Sequence, residues 1–481
     1  MKAGLSCEQA QQMAAFLYAK SGSRGENSTS VSWLSGEELN MLTRADNSRL
    51  RLLAQKSGWP VTEIILRLMQ ERAASGGPRG TLLAVCPNSE AVLRAAIRAA
   101  RAWNSPMCFA ATLNQVDLDG GYTGYRPNSL IGAIRKEVEE VGFQGPVIVG
   151  LDHGGPWLRD KHSSEGWNLQ RTMTAVKASM RACLEAGYDL LHVDPTVDRS
   201  LPPGEAVPIH TVVDRTLEII SYVECLRREQ DYPAISYEVG TEEVHGGLAN
   251  LHSFVSFLLG IRDGLRERGL SDVWPVLVVG KVGTDLHTTQ FDPSVARNLA
   301  EIAGAFGSLI KGHYTDYVSN PQEYPRVGMG GANVGPEFTQ VEYEALLELY
   351  GRETQTGATE PSRMMEELRN AVIGSNRWRK WLSDAEQGLA FDALDHARQA
   401  WLIRTGSRYV WADERVRCAR QKLYLNLHHA GVDGENFVLE RIVNAIGKYL
   451  RAFNLVDFND FVVKRAPEIV TLERGLRIQP I

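Results

Sequence analysis

The stretch PVIVGLDHGG at residues 146–155 decides the fold. Its first six residues form an apolar run of the length expected for a buried β-strand, and an aspartate and a histidine follow at once. A strand that is apolar along its whole length is typical of a parallel sheet covered on both faces. The stretch therefore predicts a parallel strand with reactive side chains at its carboxyl end.

Seven further apolar runs alternate with helical patterns in the same part of the chain. They lie at residues 81–86, 107–112, 189–194, 234–239, 276–281, 308–312 and 326–331. The intervening segments, such as 89–103 and 251–269, carry apolar residues at spacings of three and four, as amphipathic helices do. This alternation predicts an α/β fold, a (β/α)8 TIM barrel. A doubly wound open sheet is the alternative, because a strand count alone does not establish closure.

The chain divides into three regions by pattern. Residues 1–79 form a helical N-terminal extension, residues 80–351 the TIM barrel, and residues 352–481 a helical C-terminal region that we expect to pack on the barrel. The barrel region is close to the roughly 250 residues typical of this fold.

Composition excludes several classes of protein. The net charge of -6 gives no basic footprint for nucleic acid, and no apolar run is long enough to cross a membrane. The N-terminus lacks the apolar core of a signal peptide, and the 6 cysteines are scattered without a CxxC pair. We therefore expect a cytoplasmic protein with reduced cysteines.

Histidines follow three of the predicted strands. In a TIM barrel the reacting groups lie at the carboxyl ends of the strands, where His153, His287 and His313 are placed. Imidazoles with a carboxylate suit Zn²⁺, or Mn²⁺, Ni²⁺ or Co²⁺, and such an ion can polarise a substrate carbonyl. Glu238 at the end of the fifth strand and Glu242 on the loop after it are equal candidates for the carboxylate ligand.

Other polar residues near these strand ends are candidates for proton transfer or support. Asp152 could move a proton to or from a substrate hydroxyl, although a capping role is the alternative, and Glu242 is the second catalytic candidate. His192 and Asp194 lie at i and i+2 and could form a buried polar pair behind the metal ligands.

Two glycine-rich stretches complete the predicted site. Residues 328–339 are expected to follow strand eight and to open a helix, so that Asn333 and Gly335 could hold a phosphate on backbone amides. A tight turn without a ligand is equally compatible. The further candidates for substrate binding are Asn114, Gln115 and Gly121 on the other stretch (114–127), together with Asp194, Lys311 and Asp316.

The ordered motifs of this chain resemble those of a known family. NQVDLDGGYTGYRP, GLDHGGP, LLHVDPT, SYEVGTE, the His287 segment, GHYTDY and ANVGPEFT are similar to motifs of the tagatose-1,6-bisphosphate aldolase Z-subunit family, relatives of class II aldolases. The similarity covers roughly residues 65–420. The loop at 160–170 departs from the family's pattern, and the first 60 or so residues have no counterpart.

The resemblance implies a TIM barrel that acts on a ketose or ketose phosphate. Asp152 matches the acid/base aspartate, while His153, His287 and His313 resemble the metal ligands. Glu238 aligns best with the glutamate ligand, but Glu242 keeps that assignment open. Family members imply a metal-dependent 4-epimerase or aldolase of the tagatose/fructose type, or alternatively a non-catalytic subunit that stabilises an aldolase. A homo-oligomer or an aldolase partner subunit would be the expected assembly.

Overall fold

The computed structural model describes residues 44–202, 205–240, 250–284 and 290–471, and within them eight parallel strands form a closed barrel. The strands are β1 (Leu82–Val85), β2 (Met107–Thr112), β3 (Val147–Gly154), β4 (Leu190–Val193), β5 (Ser236–Gly240), β6 (Leu277–Val279), β7 (Leu309–Gly312) and β8 (Gly331–Val334). Strand β8 pairs with β1 and closes the barrel. This closure confirms the predicted TIM barrel and excludes an open sheet.

Helices surround the barrel, and further helices precede its first strand and follow its last strand along the chain. Before β1 lie α1 (Arg49–Ser57) and α2 (Val61–Ala74). Between the strands and directly after them lie α3 (Glu90–Ala102), α4 (Pro127–Val141), α5 (Asp160–Ser164), α6 (Leu169–Ala186), α7 (Ile209–Glu229), α8 (Leu251–Glu267), α9 (Pro293–Ala305), α10 (Glu323–Val327) and α11 (Pro336–Glu353). The C-terminal region contains α12 (Met364–Gly374), α13 (His396–Gly406), α14 (Glu414–His429), α15 (Gly434–Ala452) and α16 (Phe458–Ile469). Single 3₁₀ turns lie at Ser271–Val273, Arg377–Trp381, Asp384–Glu386, Phe391–Ala393 and Ser407–Tyr409.

Local sequence explains why these elements form. Helix α3 begins after Ser89, whose side chain accepts a hydrogen bond from the backbone N–H of Val92 and so satisfies one of the first free amides. The face of α3 turned to the barrel is rich in buried alanine, which lets the helix approach the strands closely. Strand β3 is buried along nearly all of its length, as its uninterrupted apolar run predicts.

The eighth strand is displaced from its predicted position. We expected it at residues 326–331, but residues 323–327 form the short helix α10, which ends at Gly328 with a φ of 89°. The strand begins only at Gly331, because a side chain at Gly330 would approach the Cβ of Leu309 to 2.4 Å and the glycines let β8 lie against β7. The glycine-rich stretch thus contains strand eight instead of following it.

A buried arginine fixes the N-terminal helices beneath the barrel. Arg51 on α1 is 4 % exposed and lies 2.7 Å from a carboxylate oxygen of Asp189 and 2.8 Å from one of Asp46. It also donates to the carbonyl of Val147, the first residue of β3, at 2.7 Å. Since Asp189 directly precedes β4, these bonds join α1 to the amino end of the strands.

The C-terminal helices contact the barrel directly. The hydroxyl of Tyr449 on α15 donates to the carbonyl of Thr315, which follows β7, at 3.2 Å. The backbone N–H of Thr81, just before β1, donates to the carbonyl of Phe453 at 3.1 Å. In the described parts of the chain, none of the helices combines the length and apolar character needed to span a lipid bilayer.

Candidate active site

The carboxyl ends of the strands bring a set of polar side chains into the mouth of the barrel. Strand β3 extends to Gly154. Asp152 and His153 therefore lie within the strand, whereas the sequence analysis placed them just after its apolar run. The buried polar residues at this end are Asp152 (β3), His192 (β4), Asp194 (after β4), Glu238 (β5), Lys311 (β7), His313 (after β7) and Asn333 (β8), and the partly buried His153 (β3) lies among them.

Asp152 is surrounded by imidazoles and one amide. Its Oδ1 lies 3.2 Å from His192 Nδ1 and 3.6 Å from His313 Nε2, and its Oδ2 accepts a hydrogen bond from Asn333 at 3.0 Å. Burial alone would raise the pKa of Asp152, but the neighbouring charges of His153 and His313 hold it well below its usual range. The carboxyl group is therefore ionised.

Three imidazole rings stand close together. The ring centroids of His153 and His313 are 4.6 Å apart, and those of His192 lie 5.0 and 5.3 Å from them. His153 has a φ of 50°, a left-handed conformation that a non-glycine residue adopts only when its surroundings hold it there.

Asp194 orients the ring of His153. Its Oδ2 lies 2.5 Å from His153 Nδ1, and its Oδ1 accepts from the hydroxyl of Thr196 at 2.5 Å. An ionised carboxylate can only accept, so Nδ1 carries the proton and Nε2 is left as the free lone pair. That nitrogen lies 3.9 Å from Asp152 Oδ2.

Glu238 and Lys311 form a buried ion pair inside the barrel. Lys311 Nζ donates to Glu238 Oε2 at 2.6 Å, while Oε1 lies 3.2 Å from His313 Nε2. Burial opposes ionisation of Glu238, but Lys311, His192 and His313 together outweigh it and lower the pKa of this carboxyl to about 2. Lys311 is thus held by a carboxylate at the centre of the site.

The donor set fits a divalent cation. Among the described residues, potential ligand atoms of Asp152, His192, Glu238 and His313 all lie within 4.8 Å of one another, as do those of His153, His192 and Asp194. The cluster contains three buried carboxylates and one permanent cation, Lys311. Because imidazoles must be neutral to ligate a metal, the protein groups of such a site carry a net charge of about −2. A divalent cation balances that charge, and imidazole with carboxylate is a ligand set that such ions accept.

The metal candidates are therefore partly assembled by the described structure. Glu238 and His313 lie in one group with Asp152 and His192, and His153 lies in a second group with His192 and Asp194. His287 and Glu242 lie outside the described residues. His192 also reaches the cluster, and its Nε2 is buried without a hydrogen-bond partner in the described chain. The register of β4 against β5 places His192 directly beside Glu238, and no sequence pattern indicates this pairing.

The loop after β2 is held by its own polar side chains. Asn114 donates to the carbonyl of Leu158 at 3.0 Å and accepts from the N–H of Asp160 at 2.9 Å. Gln115 accepts from the N–H of Thr112 at 2.6 Å and donates to Asn88.

Gly121 is required by close packing in the same loop. With a φ of 52°, a side chain there would come within 2.3 Å of the carbonyl oxygen of Gln115. The three candidates of this loop therefore shape the site, and Asn114 and Gln115 also line its cavity.

Backbone amides at the start of α11 already bind a carboxylate. The N–H groups of Gly335 and Glu337 donate to Asp316 Oδ1 at 3.0 and 2.7 Å. Burial raises the pKa of Asp316 to about 6. The amides that we expected to receive a phosphate are thus engaged by a side chain of the protein.

Part of this set lines a cavity of about 230 Å³. Asp152, His153, His313 and Asn333 belong to the barrel, whereas Arg377, Lys380 and Arg408 come from the C-terminal region. The sequence analysis gave these three cations no role. They lie far along the chain from the barrel motifs, so no local pattern indicates that they reach the cavity.

Fold and site together define a (β/α)8-barrel protein with a small polar cavity at the carboxyl ends of its strands, where a cation can be held among imidazoles and carboxylates. The sequence model of the family described as D-tagatose-1,6-bisphosphate aldolase subunit GatZ/KbaZ-like matches residues 66–444. The chain belongs to this family, which confirms the resemblance inferred from its motifs.

The individual relatives share only a minority of their aligned residues with this chain. The chain is 29 % identical over 311 residues to the D-tagatose 6-phosphate 4-epimerase of Agrobacterium fabrum, a match that covers 60 % of this chain and 71 % of that protein. A solved structure described as a probable tagatose 6 phosphate kinase from Sinorhizobium meliloti is 21 % identical, with a TM-score of 0.66, over 78 % of this chain and all (100 %) of that chain. The structural likeness supports the fold.

Proposed function

We propose that this protein is a metal-dependent enzyme that acts on a ketose phosphate of the tagatose/fructose type by retro-aldol and aldol chemistry. The observation that carries the proposal is the ionised Asp152, held among three imidazoles at the mouth of the barrel. Family membership and the similarity to a D-tagatose 6-phosphate 4-epimerase support the substrate class.

The ligands that we propose for a divalent cation are His153, His313, His287 and one of the two glutamates, Glu238 or Glu242. Zn²⁺ suits this set, and Mn²⁺, Ni²⁺ or Co²⁺ are the alternatives. Such an ion polarises a ketose carbonyl and so stabilises negative charge that develops beside it.

Asp152 is the proposed proton-transfer group. Its Oδ2 is fixed by the amide of Asn333, so the carboxylate faces the cavity in one orientation. Loss of the proton from the C4 hydroxyl allows the C3–C4 bond to break, and addition to the other face of the released aldehyde restores the bond with C4 inverted. When the aldehyde leaves without adding back, the same step gives cleavage. Glu242 is the second proposed proton-transfer group.

The test is turnover by protein purified alone. Incubation with D-tagatose 6-phosphate or D-fructose 6-phosphate, followed by NMR analysis of the sugar, distinguishes epimerisation from cleavage. Asp152→Asn is expected to reduce the rate about 10²- to 10⁴-fold, the usual contribution of general acid–base catalysis. Asp214→Asn, a change on the exposed face of α7, is the matched control. Undiminished turnover by Asp152→Asn would overturn the proposed role.

A second candidate function is that of a non-catalytic subunit that stabilises an aldolase. The family description names a subunit, and the C-terminal helices expose Trp401 and Leu425, which are 41 % and 51 % exposed. Single exposed apolar side chains are common on protein surfaces, so this candidate rests on the family description. A metal-free, inert protein that raises the stability of a class II aldolase on mixing would favour this candidate over the first.

A further inference from the structure

The C-terminal region supplies a basic wall to the cavity. Arg377 and Lys380 lie on the turn Arg377–Trp381, and Arg408 lies on the turn Ser407–Tyr409. All three line the cavity that also contains Asp152 and His153.

Arg408 is a buried cation that pairs with none of the described carboxylates. It is 8 % exposed, and its guanidinium contacts the rings of Trp381 and Tyr409, 4.7 and 5.2 Å from their centroids. Within the described chain it forms no ion pair, and its buried Nε has no hydrogen-bond partner. Burying a charge is costly unless an opposite charge meets it, so this position calls for an anionic ligand.

Arg377 and Lys380 share one carboxylate. Arg377 lies 3.0 Å from Asp160 Oδ2, and Lys380 contacts the same oxygen. The guanidinium of Arg377 also lies over the rings of Tyr122 and Tyr409, at 5.3 and 5.2 Å. Three cations, counting Arg408, line the cavity, and Asp160 pairs with two of them. Arg408 is the one that forms no ion pair among the described residues.

The usual phosphate position of a TIM barrel is already engaged. That position is formed by the loops after strands seven and eight and by a helix N-terminus. Here the corresponding amides of Gly335 and Glu337 donate to Asp316. Asp316 is also the carboxylate whose charge Arg408 influences, but no ion pair joins the two among the described residues.

We propose that Arg408, assisted by Arg377 and Lys380, binds the phosphate group of the phosphorylated ketose. This inference rests on the proposed function and names the residues that select a phosphorylated substrate over the free sugar. A guanidinium presents paired N–H donors that match two phosphate oxygens, and stacking on Trp381 and Tyr409 holds it in place beforehand.

The test compares binding of D-tagatose 6-phosphate, D-tagatose and inorganic phosphate by isothermal titration calorimetry. Arg408→Gln should weaken the binding of D-tagatose 6-phosphate and of inorganic phosphate roughly 10- to 100-fold, because hydrogen bonds to a charged group are lost. Binding of D-tagatose should be unchanged. The matched control is Arg379→Gln, an exposed arginine of the turn Arg377–Trp381 that does not line the cavity.

Two further variants keep the outcome decisive. Arg408→Lys retains the charge and should keep part of the affinity for phosphate that Arg408→Gln loses. Lys380→Gln removes an exposed cation, so it should not disturb folding, and it should lower the affinity for phosphate several-fold. Equal affinity of wild type and all three variants for D-tagatose 6-phosphate, or an equal loss for both sugars, would overturn the proposal.

The binding experiment separates this inference from the proposed function. If the wild type turns over no ketose phosphate but binds inorganic phosphate through Arg408, the phosphate site stands and the proposed chemistry fails. If Asp152→Asn abolishes turnover while Arg408→Gln leaves phosphate affinity intact, the chemistry stands and the phosphate site fails.

Discussion

Substitution of Asp194 by asparagine should weaken metal binding although Asp194 is not a proposed ligand. The carboxylate lies 2.5 Å from His153 Nδ1 and fixes both the proton and the ring of that ligand. Burial would raise the pKa of Asp194, but the hydrogen bond and charge of His153 lower it, so the group acts as an anion. Asparagine keeps the shape and removes the charge. Loss of such a partner typically costs 10- to 100-fold in metal affinity, about 1.4–2.7 kcal/mol.

The assay is competition between the metal-free protein and a fluorescent zinc chelator, with Asp214→Asn as the surface control. Circular dichroism shows whether the variant is folded. A folded Asp194→Asn protein that binds Zn²⁺ as tightly as the wild type would refute the reasoning, because His153 would then need no carboxylate to serve as a ligand.

Three other outcomes follow from the structure. Arg51→Met leaves Asp46 and Asp189 buried without their ion-pair partner and should lower the free energy of unfolding by about 3–5 kcal/mol, as measured by chemical denaturation; Arg181→Ala removes only an exposed pair and should leave the free energy of unfolding nearly unchanged. Burial raises the pKa of Glu342 from 4.5 to about 7, so the unfolded chain loses this proton first and stability falls as pH rises between those values. Glu342→Gln should remove this pH dependence, which amounts to at most roughly 3 kcal/mol of unfolding free energy between pH 4 and pH 8. An unchanged pH dependence of thermal unfolding would contradict the prediction. Treatment with EDTA should abolish turnover and added Zn²⁺ should restore it, so full activity after exhaustive chelation would exclude a metal requirement.

The sequence predicted the barrel well because each strand is recorded in a short continuous stretch of chain. The run at 146–151 needs no distant information to be recognised as a buried strand, and the polar residues after it identify the carboxyl end. The eighth strand was misplaced because arginine and valine at 326–327 fit a strand as well as a helix. What decides between them is the approach of Gly330 to Leu309, a tertiary contact.

Pairings within the site were harder to predict than its members. Periodicity places Glu238 and Lys311 inside the barrel, but the stagger of the strands determines that they form an ion pair. Likewise His192 was read as a supporting residue, and only the register beside Glu238 brings it into the metal-binding group. The role of Arg408 depends on how the C-terminal turns fold over the barrel mouth, which no motif encodes.

The shared construction of the cavity separates two properties of the protein along its chain. Groups suited to bond making and breaking reside on the strands, while the cations of residues 377–408 belong to an appendage that follows the barrel. Under the proposed function, substitutions confined to that region alter phosphate binding and leave the residues of the strands unchanged. Affinity for the substrate and the chemistry performed on it can then change independently, because different parts of the chain supply them.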